Sequence, residues 1–355
     1  MARTGEPPGR RWPKFAYLAV GIALLALILS RADVRQAWDI ALQIGWGFAV
    51  VLGLFLVEFV AMTALWQLTF ESLPLTGRWL CRLWRIKMVG DAFNVATPSA
   101  QMAGEVIKAV VLKRRYGVGY VEGVASMVLA RTCMVIALVV FLIAGFTLLM
   151  QAPALTREYK LSAGLGLAVF SLVIVIFFLM QRFKLLSRSG RRFSRTGGGA
   201  FLNTIHITED RLIVFYTRHR FRFAVALSLG LLHWMLGVVT LYYTFLFLGH
   251  PLTFTEAWII EAFAQLVRAA TFFIPGNLGT QDGAFVVITT AMTGNPALGL
   301  AAALIRRGRD IVWLVWGVML GWRYIGLIGQ ASEASEGDRA VAKAIAIAPK
   351  GDQGQ

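Results

Sequence analysis

Apolar residues come in long runs broken by short basic stretches. The runs at 121–150, 161–181 and 223–249 each exceed the roughly 18 residues that mark a spanning helix, and the first of them carries Arg131. Comparable stretches at about 15–30, 44–70 and 297–329 complete six predicted spans. Two further apolar segments, 85–115 and 257–293, are split by Pro98 and Pro275. Their arms are too short to cross about 30 Å of hydrocarbon at 1.5 Å per residue. Each therefore reads as a re-entrant helical hairpin that enters and leaves on one side. The pattern predicts an all-α polytopic membrane protein, and a composition of 57% apolar and 15% charged residues agrees.

Basic residues set the orientation. Arg3, Arg10, Arg11 and Lys14 place 1–14 inside as a cytoplasmic N-terminus, and the connection 31–43, where Arg31 and Arg35 are offset by Asp33 and Asp39, faces out. Arg78, Arg82, Arg85 and Lys87 collect inside again, and so do Lys113, Arg114 and Arg115. Loop 182–222 holds ten Lys/Arg against Glu209 and Asp210 and is cytoplasmic. Its "SRSGRRFSRTGGG" stretch suits anionic lipid headgroups. Phe201, Leu202, Ile205, Leu212, Phe215 and Tyr216 then suggest a short amphipathic surface helix, against a plain solvated loop. Residues 330–355 read as a disordered cytoplasmic tail. The net charge of +16 is thus a matter of membrane orientation and not of nucleic-acid binding. The run at 15–30 lacks a cleavage motif after it and is retained as a span in what reads as a bacterial inner-membrane protein.

The two interruptions match. "TPSAQMAGE" (97–105) and "IPGNLGTQD" (274–282) each place a proline before glycines and small or amide side chains, then a carboxylate seven residues after the proline. Arg131 and Arg306 follow Glu105 and Asp282 by 26 and 24 residues. The chain therefore reads as two copies, 15–150 and 151–329, each of two spans, a broken hairpin and one more span. Three crossings per copy make the repeats inverted, the arrangement that places a substrate site near the midplane. Backbone groups freed by each break need polar partners inside protein or a wet cavity. Asn94, Thr97, Ser99 and Gln101 can supply them in the first hairpin, and Asn277, Thr280 and Gln281 in the second. The arm after each break aims free N–H groups at the cavity, a ready anion site.

Ionisable side chains at membrane depth extend the pattern: Glu58, Arg131, Arg268, Arg306 and Arg309 in spans or arms, and Asp91, Glu105, Asp282 and Asp310 in or near the hairpins. A purely structural reading pairs Glu105 with Arg131 and Asp282 with Arg306. Glu58 and His233 are each explained equally by a helix–helix hydrogen bond. Cys81 and Cys133 read as unpaired apolar residues, and His206, His219, His233 and His250 are scattered without metal-ligand spacing. No cofactor, metal or catalytic constellation is expected.

Asn94, Pro98, Gly104, Glu105, Lys108 and Arg131, followed by Pro275, Gly276, Gly279 and Asp282, resemble the two signatures of the flippase-like family that includes the transmembrane region of lysylphosphatidylglycerol synthases. "FFIPGNLGTQDG" further resembles the branch associated with hopanoid biosynthesis. One departure is the run Ala130-Arg131-Thr132-Cys133-Met134, where the family often has two carboxylates around its arginine. The resemblance implies movement or remodelling of an amphipathic lipid: a hopanoid, an aminoacyl-phospholipid or a polyprenyl-linked lipid. Its substrate-binding set is Asn94, Thr97, Pro98, Gln101, Gly104, Glu105, Lys108, Arg131, Pro275, Gly276, Asn277, Gly279, Gln281, Asp282 and Arg306. The soluble aminoacyl-transfer domain of synthase relatives is expected to be absent, so the chain is not expected to be an enzyme. Two alternatives are an integral-membrane lipid-modifying enzyme, and a non-transporting scaffold that docks lipid-biosynthesis enzymes through loop 182–222.

Overall fold

A computed structural model describes residues 33–96, 103–152, 156–182, 215, 217–271, 274, 277 and 279–322. The predicted first span, most of loop 182–222 and the tail lie outside these. The described residues form helices α1 (Val34–Leu42), α2 (Gly47–Leu68), α3 (Gly77–Ala96), α4 (Ala103–Tyr116), α5 (Tyr120–Gln151), α6 (Arg157–Arg182), α7 (Arg220–Phe247), α8 (Phe254–Ala270), α9 (Thr280–Thr293) and α10 (Pro296–Gly321). The protein is all-α over them. Among the described residues α2, α5 and α7 are long and apolar enough to cross a bilayer. Leu56 and Val57 of α2 and Val140 and Ile143 of α5 are exposed, an outer surface that only lipid would cover.

Several hydroxyls in α2 and α7 are satisfied within their own turn. Thr63 donates to the Phe59 carbonyl at 2.8 Å, and Thr244 to the Thr240 carbonyl at 2.7 Å. Such back-bonding lets polar side chains sit at bilayer depth without a solvent partner.

The connection 31–43 is largely the helix α1. Asp33 caps it by accepting from the Gln36 N–H at 3.0 Å, and Ala37 and Ile40 are buried in the core that includes residues of α10. The cap and the three-residue spacing of the buried pair carry the signal, which charge counting overlooks.

α2 lies along α7, α10 packs on α3, and α5 packs on α8. α3 also pairs with α4 and α8 with α9, and α4 and α9 each pack on the helix that follows. The first arm is longer than predicted: α3 starts at Gly77 and runs for 20 residues, so Arg78, Arg82 and Arg85 belong to the helix itself. α4 and α9, at 14 residues each, are about 21 Å long and cannot cross the bilayer. α8 starts with a capping box, in which the Glu256 N–H reaches Thr253 Oγ1 at 3.2 Å and Glu256 Oε2 accepts from the Thr253 N–H at 2.8 Å. Phe215 of the expected surface helix is buried and packs edge-on against Phe223, with centroids 6.1 Å apart.

Candidate polar recess between the hairpins

The two matched carboxylates occupy the same helical position. Glu105 is the third residue of α4 and Asp282 the third of α9, each in the first turn after its break. An anion there complements the free N–H groups of a helix start. In the second hairpin the geometry is explicit: Asp282 Oδ2 accepts from the Gly279 N–H at 3.1 Å. Gly279, at φ +77°, takes a backbone conformation that side chains resist.

The first hairpin is held by a close backbone approach and a charge cluster. A side chain on Gly104 would collide with the Gly90 carbonyl and sit 2.7 Å from the Asn94 side chain. The Gly104 N–H donates to Asn94 Oδ1 at 2.8 Å, so Asn94 ties the second arm to the first. Lys108 bridges both arms, reaching Asp91 Oδ1 and Glu105 Oε1 at 2.8 Å each, and Asp91 also pairs with Lys87. Lys87 lies 4.5 Å from the centre of the Phe59 ring on α2. Glu105 is therefore paired within its own hairpin and not with Arg131.

The second hairpin uses a different partner. Arg307 grips Asp282 in a two-pronged pair, Nε to Oδ1 at 3.1 Å and Nη2 to Oδ2 at 2.9 Å, and also donates to the Asn277 carbonyl at 3.2 Å. Thr280 donates to that same carbonyl at 3.2 Å. Asn277 stands in the left-handed region at φ +48°, and with its amide turned it donates to the Arg268 and Thr271 carbonyls. Arg306, the sequence-matched counterpart of Arg131, turns instead to Glu261 of α8, at 2.9 and 3.0 Å. Gln265 donates to Glu261 at 2.6 Å, completing a buried triad.

Asn94, Gly104, Glu105 and Lys108 thus converge in one hairpin, and Asn277, Gly279, Gln281 and Asp282 in the other, where the Gln281 amide nitrogen is buried with no partner among the described residues. Thr97, Pro98, Gln101, Pro275 and Gly276 lie outside the described residues. Sequence reasoning did not single out Glu261, Gln265 or Arg307. The first two were legible as a polar stripe, since Glu261, Gln265 and Arg268 recur at helical spacing along an apolar arm. Which arginine of "IRRGRD" meets which acid is a matter of helical phase, and spacing alone could not decide it.

Two arginines differ from Arg306, Arg307 and Arg309, which are paired with carboxylates. Arg131 and Arg268 are exposed, and neither guanidinium has a hydrogen-bond acceptor among the described residues. Arg268 lies within electrostatic reach of Arg306 and Arg131, and of the carboxylates Asp310 and Glu261. Arg309 pairs with Asp310 at 2.8 Å and lies 4.0 Å from the Phe55 ring centre. No group of residues fit to hold a metal ion occurs among the described residues.

A UPF0104 membrane protein of Pyrococcus horikoshii is 19% identical over 310 residues, covering 83% of this chain and 92% of its own length. Another, from Methanothermobacter thermautotrophicus, is 24% identical over 312 residues, covering 81% and 87%. No solved structure matches. The family described as "Lysylphosphatidylglycerol synthase TM region" matches residues 15–317. This chain is accordingly a multi-pass, lipid-related membrane protein that belongs to the family of the lysylphosphatidylglycerol synthase transmembrane region.

Proposed function

We propose that the protein moves an amphipathic lipid between leaflets, with the headgroup passing through a polar recess between two inverted hairpins. The observation that carries this reading is the pair Arg131 and Arg268, exposed and without an acceptor among the described residues, beside Arg306. Lys87, Lys108, Arg306, Arg307 and Arg309 are each paired with a carboxylate. Two guanidiniums without a bonded acceptor at bilayer depth cost several kcal/mol unless a counter-ion or water meets them.

A headgroup phosphate supplies such a counter-ion, and guanidinium forks match its oxygens in pairs. That chemistry favours a phosphate-bearing lipid, an aminoacyl-phospholipid or a polyprenyl-linked lipid, over an uncharged hopanoid. Asn94, Gln281 and the paired carboxylates would orient the polar head, while the exposed apolar faces of α2 and α5 meet the tails. The basic loop 182–222 would hold anionic headgroups at the cytoplasmic surface of a bacterial inner membrane, with both termini on that side.

The test is lipid movement in vesicles containing the purified full-length chain. A fluorescent phospholipid in the outer leaflet should become protected from an external quencher at least ten times faster than in protein-free vesicles. Arg268→Gln should return the rate to near background with normal expression. Rates equal to protein-free vesicles for the unaltered chain, across phosphate-bearing lipids, would refute the proposal.

A further inference from the structure

Glu58 on α2 and His233 on α7 meet where these two spans pack together. Glu58 Oε1 lies 3.2 Å from His233 Nδ1, and the residues are 8% and 7% exposed. Glu58 Oε2 and His233 Nδ1 make no hydrogen bond among the described residues. A buried carboxylate with an unpaired oxygen is costly. A proton taken up by the carboxyl removes its charge and, after a small rotation of the imidazole, bridges Oε1 and Nδ1.

We propose that Glu58 and His233 together form a proton-binding site whose loading is linked to the occupancy of the arginine-lined recess. The proposal rests on the lipid-moving reading above and supplies it with a coupling ion. Only a proton moves: it arrives from water, sits between Oε1 and Nδ1, and leaves to water, with no other bond made or broken.

The surroundings say how the two sites communicate. Arg306, Arg309 and Asp310 of α10 and Glu261 of α8 face Glu58. Lys87 of α3, Arg268 and Glu261 of α8 and Arg306 of α10 face His233. When the proton leaves, Glu58 becomes a second anion within reach of Arg306, competing with Glu261 for it. An arriving headgroup anion at Arg268 opposes that new charge and favours loading. The two ligands thus support one another, and linkage makes the effect reciprocal.

Gly237, one turn beyond His233, together with Thr240, Thr244, Arg306 and Arg309, lines part of a small cavity of mixed polar and apolar character. A water there has several polar partners, the condition for an ordered buried water. Gly237 also leaves room for Glu261, whose Oε1 would sit 3.3 Å from a side chain placed there.

Infrared difference spectroscopy of the full-length protein in lipid tests the site without requiring transport. The unaltered chain should show a protonated-carboxyl band that titrates and shifts in heavy water. Glu58→Gln should abolish the band, and His233→Phe, which keeps the carboxyl, should move it. In vesicles, a pH gradient should speed lipid movement several-fold in the unaltered chain and not in Glu58→Gln. A Glu58→Gln spectrum that retains the same titrating band overturns the proton site, and so does a Glu58→Gln variant that still responds fully to the gradient. Loss of the band in a protein that moves no lipid supports the proton site and overturns the lipid reading instead.

Discussion

The ring of Trp79, near the start of α3, lies 5.4 Å from that of Tyr116, the last residue of α4. Arg82 reaches over both rings, at 4.8 and 5.3 Å from their centres. The outer ends of the two arms therefore stand at one level, as a hairpin requires and a single kinked crossing forbids. Cys81 is exposed and Cys133 buried, which makes the native chain a convenient probe. Cys81 and a Lys113→Cys thiol should react with an impermeant reagent from the same side of sealed vesicles. Reaction from opposite sides would turn α3 and α4 into a true crossing.

Close approach at Gly90 and Gly104 closes this hairpin, and there is no room for a branched side chain. Gly104→Val should lower stability by about 1–3 kcal/mol through overpacking. The readout is the midpoint of thermal unfolding in detergent. An unchanged midpoint would mean that the arms do not meet there.

Glu261 and Arg306 form a pair in which Glu261 is almost fully enclosed, its side chain 1% exposed. Removing one partner leaves the other charge stranded, so Glu261→Leu and Arg306→Leu should each cost about 3–5 kcal/mol. The double variant should cost less than either single one, because no lone charge remains. A double variant at least as unstable as the sum of the singles would show that the two residues act separately.

The partner of Asp282 can be identified by coupling. A double-mutant cycle between Asp282→Asn and Arg307→Gln should give an interaction of about 1–3 kcal/mol, since the pair is two-pronged and in contact. The same cycle with Arg306 in place of Arg307 should give less than about 0.5 kcal/mol. The opposite ranking would restore the pairing that sequence spacing suggests.

Much of the architecture was legible because a bilayer allows few solutions. Long apolar runs specify α2, α5 and α7, and the matched positions of Glu105 and Asp282 follow from counting from Pro98 and Pro275. Other features depend on rotation about helix axes that hydropathy does not encode. Arg306 and Arg307 differ by about 100° around α10, and that difference alone sends one to Glu261 and the other to Asp282. Glu58 and His233 look like isolated polar residues until α2 and α7 are laid side by side. The helix α1 was hidden because a short amphipathic segment with mixed charges resembles a connecting loop.

The most direct test of the recess is which lipid stays bound through purification, read by native mass spectrometry of the full-length protein. A phosphate-bearing lipid should remain on the unaltered chain at near-stoichiometric occupancy. Arg131→Gln and Arg268→Gln, at exposed sites that hold no packing together, should each lose most of it while remaining folded. Equal retention of that lipid by both variants would contradict the account.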